Sequence, residues 1–140
     1  MSGRRRVLVA VDDSEGAARA VRFAASVAGA LDAEVLAVHA LGLLAEIGGD
    51  HVVPAQAHRS EVAAQLERWA APLAEAGVPH RRLLVDGNPV QAVLAVAEQE
   101  AVDILVVGKR ASAGVPGLQL GSTSQQLVQH AHIPVVVVPG

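Results

Sequence analysis

The sequence predicts an α/β domain: an open, twisted sheet of five parallel strands, ordered 3-2-1-4-5, with helices on both faces. Three observations lead there. Short apolar runs without alternation recur along the chain, as in strands covered on both faces. Between them the apolar residues take up helical spacing. And although 51% of the residues are apolar, only Phe23 and Trp69 are aromatic, so Val, Leu, Ile and Ala must build the core. At 140 residues the chain has the size of one ordinary domain, 1–140, without room for a second.

Arg6 to Val11 is the first apolar run and the first expected strand. From Ser14 onward Ala17, Val21, Ala24, Ala28 and Leu31 fall on one helical stripe, with Asp12 and Glu15 at capping-box spacing before it. Glu34 to Leu41 gives the second strand, and Gly42 to Ala57, with its Gly48-Gly49-Asp50 turn signal, an irregular connection. A second helix is expected from near His58 through Val62, Leu66, Trp69 and Leu73 to the stop signals Gly77 and Pro79. Pro72 lies inside it; an interior proline costs about 3 kcal/mol, which predicts a kink or break just before it. Arg81 to Asp86 is the third strand. Asn88-Pro89-Val90-Gln91 then combines a capping residue, a proline at the first helical position and a capping-box partner, opening a third helix that ends near Glu100. Val102 to Val107 is the fourth strand, Gly108 to Leu120 a loop, Ser122 to about Ala131 the fourth helix and Ile133 to Val138 the fifth strand.

Strands alternating with helices imply right-handed parallel crossovers. Ligands of such sheets sit beyond the carboxyl ends of the strands, where the winding direction reverses, so functional residues are expected just after strands one and four.

Composition narrows the partners. A net charge of −3, with Arg4 to Arg6 as the only basic run, gives no reason to expect nucleic acid. Val7 to Val11 is too short for the apolar region of a signal peptide, and no stretch approaches the ~18 apolar residues of a membrane span. The absence of cysteine excludes disulfides, iron–sulfur clusters and thiolate zinc sites, and fits a cytoplasmic location.

The segment after the fourth strand carries the chemistry. Gly108-Lys109-Arg110-Ala111 is followed, nine residues later, by Gly121-Ser122-Thr123-Ser124 at a helix start. A helix N-terminus offers unpaired amides and about half a positive charge, so Gly121, Ser122 and Thr123 suit a phosphate. Gly108 is expected to let the backbone turn sharply beside the ligand. Ser122 with Gln125 also reads as a capping box, a role compatible with the first. Lys109 and Arg110 either neutralise phosphates or are solvated loop charges.

This loop resembles the Gly-x2-Gly-x9-Gly-Ser/Thr nucleotide motif of the universal stress protein family, with Ala111 at the second glycine position. The resemblance spans the chain: Val9 to Glu15 looks like the family's opening strand and turn, Leu36 to His39 its second strand, Val106 to Gly108 its fourth, and Ile133 to Val138 its closing strand. It implies a Rossmann-like, adenine nucleotide alpha hydrolase-like fold and bound ATP with magnesium. It also implies a stress-response regulator, a nucleotide-dependent switch or partner-binding module, and not an enzyme beyond slow ATP hydrolysis. By the same resemblance Asp12 approaches the nucleoside, Val38 contacts the adenine, and Gly108, Ala111, Gly121, Ser122 and Thr123 wrap the phosphates, while Ala10, Val11 and Val107 line the crevice. Two of these keep a second reading: Asp12 as an N-cap, and Val38 as a core strand residue. Ala111 keeps open a family member that binds no nucleotide and acts only through protein contacts.

The resemblance and the edge position of the fifth strand together imply a homodimer. Val135 to Val138 carries no charge to protect an exposed edge, whereas the opposite edge strand carries Arg81 and Arg82. Other classes fit poorly. Asp12-Asp13 looks like the acidic pair of a phospho-accepting receiver, but Asp86 lies too far along to be the phosphorylated residue, and no Lys follows the fifth strand. The Ser-Gly-Gly-x-Asp-Ser loop of ATP pyrophosphatases and the His-x-Gly-His motif of nucleotidylyl transferases are absent. His39, His51, His58 and His80 show no ligand spacing, and His130 with His132 lacks further ligands. Trp69 reads as a core residue of an amphipathic helix.

Overall fold

In the computed structural model, which describes residues 4–42, 44–47, 51–109 and 122–139, β1 (Arg6–Ala10) leads into α1 (Glu15–Leu31) and β2 (Glu34–Leu41). A hairpin of β3 (Leu44–Ile47) and β4 (His51–Pro54) follows, then a 3-10 turn (Ala55–His58), α2 (Arg59–Trp69) and α3 (Ala71–Glu75). The chain continues through β5 (His80–Asp86), α4 (Pro89–Gln99), β6 (Ile104–Gly108), α5 (Ser122–His130) and β7 (Val135–Val138). The main sheet runs β5-β2-β1-β6-β7 with every neighbouring pair parallel, which is the expected order of the five strands.

Period-two alternation explains why the strands read as continuous apolar runs. Val7, Val9, Val35, Ala37 and Val106 face α1, α2 and α3, packing on Val21, Ala24, Leu66 and Leu73. Leu8, Leu36, Val38, Leu105 and Val107 face the other way, onto Val90 and Val93 of α4 and Leu127 of α5. Both faces are covered, so at the centre of the sheet successive residues are apolar whichever way they point.

The helix boundaries follow local chemistry. α2 and α3 part at Ala70, two residues before Pro72, whose ring and missing N–H bar an unbroken helix, as its position predicts. Asn88 caps α4, its Oδ1 accepting from the amides of Val90 at 2.9 Å and Gln91 at 3.3 Å, with Pro89 in the first turn. The cap of α1 differs from expectation. Ser14, not Asp12, is the N-cap: its Oγ accepts from Ala17 N–H at 3.1 Å, while Asp12 Oδ1 accepts from Ser14 N–H at 2.8 Å. Asp12 therefore holds the turn before the helix rather than the helix itself.

The connection 42–57 is the larger correction. Instead of being irregular it contains the antiparallel pair β3–β4, registered from Leu44↔Pro54 to Ile47↔His51. Val52, Val53 and Ile47 favour extended backbone, and Gly48-Gly49-Asp50 stands between the two runs. Beyond the hairpin, Gln56 and Arg59 both donate to Asp86 Oδ1, at 2.7 and 2.8 Å, tying the start of α2 to the end of β5.

The amino-terminal end of the sheet is closed by charge. Arg6 of β1 lies 3.3 Å from Glu34 of β2 and 3.6 Å from Glu100, and Arg81 of β5 lies 3.5 Å from Glu34 and 2.6 Å from Glu100. The hydrogen bond from Arg81, then the charges of Arg81 and Arg6, hold the Glu100 carboxyl below its ordinary pKa. No helix among the described residues is long and apolar enough to cross a membrane.

Candidate functional site

At the carboxyl ends of the strands the sheet opens. Neighbouring residues of a parallel strand turn their main-chain groups to alternate sides. In β2, Glu34 N–H donates to Arg5 O at 2.8 Å and Val38 O accepts from Val11 N–H at 2.9 Å, so these residues face β1. Val35 N–H donates to Pro79 O at 2.9 Å, toward β5. Ala40, two residues after Val38, therefore turns its N–H and C=O to the β1 side. There β1 has already ended at Ala10 and the chain has turned away through Asp12.

A cavity of about 260 Å³ occupies this opening on the α4/α5 face. Ala10, Val38 and Ala40 form its floor, Pro89, Val93 and Leu127 its apolar wall, and Asp12, Ser14, Gly108, Thr123 and Ser124 its polar rim. A second, more open hollow of about 350 Å³ lies on the α2 side against Val62, Gln65 and Trp69, and meets the first at Asp12, His39 and Ala40. Between the two stands His39. Its Nδ1 bonds the Val11 carbonyl at 2.7 Å, and its ring meets Trp69 edge-on with centroids 5.1 Å apart.

Two glycines let α1 and the end of β6 meet beside the cavity. A Cβ on Gly108 would lie 2.2 Å from the carbonyl oxygen of Gly16, and one on Gly16 would lie 2.9 Å from that of Lys109. The first turn of α1 thus rests directly on the end of β6. Gly108 is not among the described glycines with positive φ, so close approach, rather than the sharp turn expected from sequence, requires it. Ser124 is buried, and its Oγ donates to Gly108 O at 3.0 Å, fixing the first turn of α5 against the same strand end. That contact brings Thr123 and Ser124, in the first turn of α5, to the cavity rim.

The sequence profile of the universal stress protein family matches residues 3–139. The chain belongs to the universal stress protein family. A universal stress protein of Thermus aquaticus is 36% identical over 135 residues, which cover 96% of this chain and 98% of the relative. Among solved structures, a universal stress protein in complex with cAMP superimposes with a TM-score of 0.74 at 24% identity, covering 99% of this chain and 98% of the other. The universal stress protein from Archaeoglobus fulgidus in complex with dAMP gives a TM-score of 0.72 at 22% identity, with 98% of each chain covered.

In this universal stress protein, Ala10, Val11, Asp12, Val38, Val107, Gly108 and Thr123, all singled out in the sequence, line one cavity. Ser122 is the first residue of α5. Ala111 and Gly121 lie outside the described residues, as does Arg110. Val38 takes both of its sequence readings, since it is buried in the core below α4 and also floors the cavity. Sequence reasoning passed over Ala40, Gly16, Ser124 and His39. The parity of the second strand could have found Ala40; the other three depend on contacts between segments far apart in the chain. Among the described residues no cluster of three or more His, Cys, Asp or Glu is placed to hold a metal ion.

Proposed function

We propose that this universal stress protein binds an adenine nucleotide, ATP with magnesium, in the cavity beyond β1, β2 and β6, and acts as a cytoplasmic nucleotide-dependent regulator, not an enzyme. One observation carries this reading: the cavity has the outward-facing main chain of Ala40 at one end and the first turn of α5 at the other. A residue's N–H and C=O together form a donor–acceptor pair that matches N1 and the N6 amino group of adenine, and mismatches guanine, whose edge carries the reverse pattern. The apolar wall of Val93 and Leu127 suits a flat base. Asp12, on the rim, takes a ribose hydroxyl in this reading. Gly121, Ser122 and Thr123, the sequence motif that leads into α5, take the phosphates. Magnesium would be held by phosphate oxygens and water, as is common for that ion. The fold-level neighbours solved with cAMP and dAMP support an adenine nucleotide.

The same reading includes a homodimer through β7. That strand lies at the sheet margin, and its four valines, all partly exposed, carry no charge that would keep another strand away. Light scattering at micromolar concentration should report a dimer; a monomer with no response to nucleotide counts against it. For the ligand, protein purified from cells is denatured and the released small molecules are weighed. ATP or ADP in near-equimolar amount is expected. No adenine nucleotide in the extract, together with no heat of binding on titration with ATP, would sink the reading.

A further inference from the structure

We infer that His39 is a positioning residue for base recognition: by drawing the Val11 carbonyl to its imidazole it holds open one rung of the β1–β2 ladder and leaves Ala40 N–H for the ligand. The inference rests on the cavity being a nucleotide site, and it assigns a role to a histidine with no ligand spacing in the sequence.

The paired register of β1 and β2 ends at Ala10↔Val38, and one further bond, from Val11 N–H to Val38 O at 2.9 Å, extends it. In a continuing parallel ladder the next bond runs from Ala40 N–H to Val11 O. Among the described residues no main-chain bond closes that rung. The Val11 oxygen instead accepts from His39 Nδ1 at 2.7 Å. Because the acceptor is a carbonyl, Nδ1 carries the proton. A carbonyl can accept twice, so occupancy alone does not forbid the rung. What keeps it open is where the ring draws the oxygen, and the ring is anchored: Trp69 meets it at 5.1 Å and 61°, within the range of edge-to-face aromatic pairs. His39 and Ala40 are adjacent and point to opposite faces, so the side chain of one works from the α2 side while the main chain of the other serves the cavity.

The test uses the full chain with His39→Leu, which removes the donor, and His39→Asn, whose amide keeps a donor near the Nδ1 position. Two measurements are made: amide hydrogen exchange at Ala40 without nucleotide, and affinities for ATP and for inosine triphosphate, which shares the sugar and phosphates but reverses the base edge. In the parent, Ala40 N–H should exchange freely and become protected when ATP is added. In His39→Leu it should be protected without nucleotide, ATP affinity should fall about five- to tenfold, and inosine triphosphate affinity should stay the same. His39→Asn should resemble the parent on all counts. Equal protection of Ala40 in parent and His39→Leu would overturn the inference, and so would equal losses for the two nucleotides, which mark general damage. If the parent bound neither nucleotide, the reading of the cavity would fail, and the exchange result alone would decide whether His39 holds the rung open.

Discussion

The two ends of the parallel sheet solve opposite problems with opposite materials. At the amino-terminal end, long charged side chains bridge the strands: Arg6, Glu34, Arg81 and Glu100 form one network across β1, β2, β5 and the end of α4, and Arg6 N–H also donates to Asp103 Oδ2 at 2.9 Å. Where β1 and β6 end, at the carboxyl end of the sheet, the side chains are small. Ala10, Gly16, Ala17, Ala40 and Gly108 leave the main chain bare, and the strands part. One end is filled so that the other can be empty. The difference teaches that in this molecule the opening of the sheet is made of missing side chains, so adding atoms at one end should do more harm than removing charge at the other.

The largest effect is expected from Gly108→Ala. Its Cβ would press on the Gly16 carbonyl at 2.2 Å, with backbone on both sides, so α1 or β6 must move. A loss of about 3 kcal/mol, or roughly 10 °C in melting temperature, should follow, together with loss of nucleotide binding. An unchanged melting curve would mean that the carboxyl end tolerates added atoms after all. Next comes Gly121→Leu, which should weaken ATP binding about a hundredfold in calorimetry while the melting temperature of the free protein holds; unchanged affinity would move the phosphate site elsewhere. Ala111→Gly works in the other direction. If the second glycine of the motif serves a left-handed conformation, restoring it should tighten ATP about five- to thirtyfold. A parent without detectable binding and a glycine variant that binds tightly would favour the reading in which the protein acts through protein contacts alone.

The smallest effect belongs to the charged end. The carboxyl of Glu100 is held below its ordinary pKa, chiefly by the hydrogen bond from Arg81. A depressed folded pKa gives stability that is complete above the unfolded value and is lost as pH falls through the folded one. Melting temperature should therefore drop as pH falls below the ordinary Glu value of 4.5. Glu100→Gln should flatten part of that drop, and salt should shrink it, because these groups are exposed. A fall of the same depth in the variant would assign the acid sensitivity to other carboxylates.

Much of this architecture was legible in the sequence because it rests on short-range signals. Parallel pairing followed from the alternation of strands and helices, the break at Ala70 from Pro72, and the start of α4 from Asn88-Pro89. The hairpin β3–β4 was missed although its signal was there: a glycine-rich turn between two short extended runs, outweighed by their shortness. Asp12 keeps a second reading as a cap in the sequence because of its spacing to Glu15, and only the fold shows that Ser14 is the side chain that reaches a helix amide. The Gly16–Gly108 contact and the His39–Val11 bond join segments remote in sequence. No local pattern encodes them, and they shape the cavity most directly.

The central position of β1 also governs how the chain must be made. β1 leaves the ribosome before the other strands of the sheet, yet one of its two neighbours, β6, is synthesised after α4. Until then a nascent chain can assemble only β5-β2-β1, leaving the edge formed by Val7, Leu8 and Val9, fully buried in the finished protein, open to any passing strand. When β6 docks it closes that edge and brings Gly108 onto Gly16 in the same movement. Protection from aggregation during synthesis and competence to bind should therefore arrive together, in one late step, and a chain stalled before Ile104 should have neither.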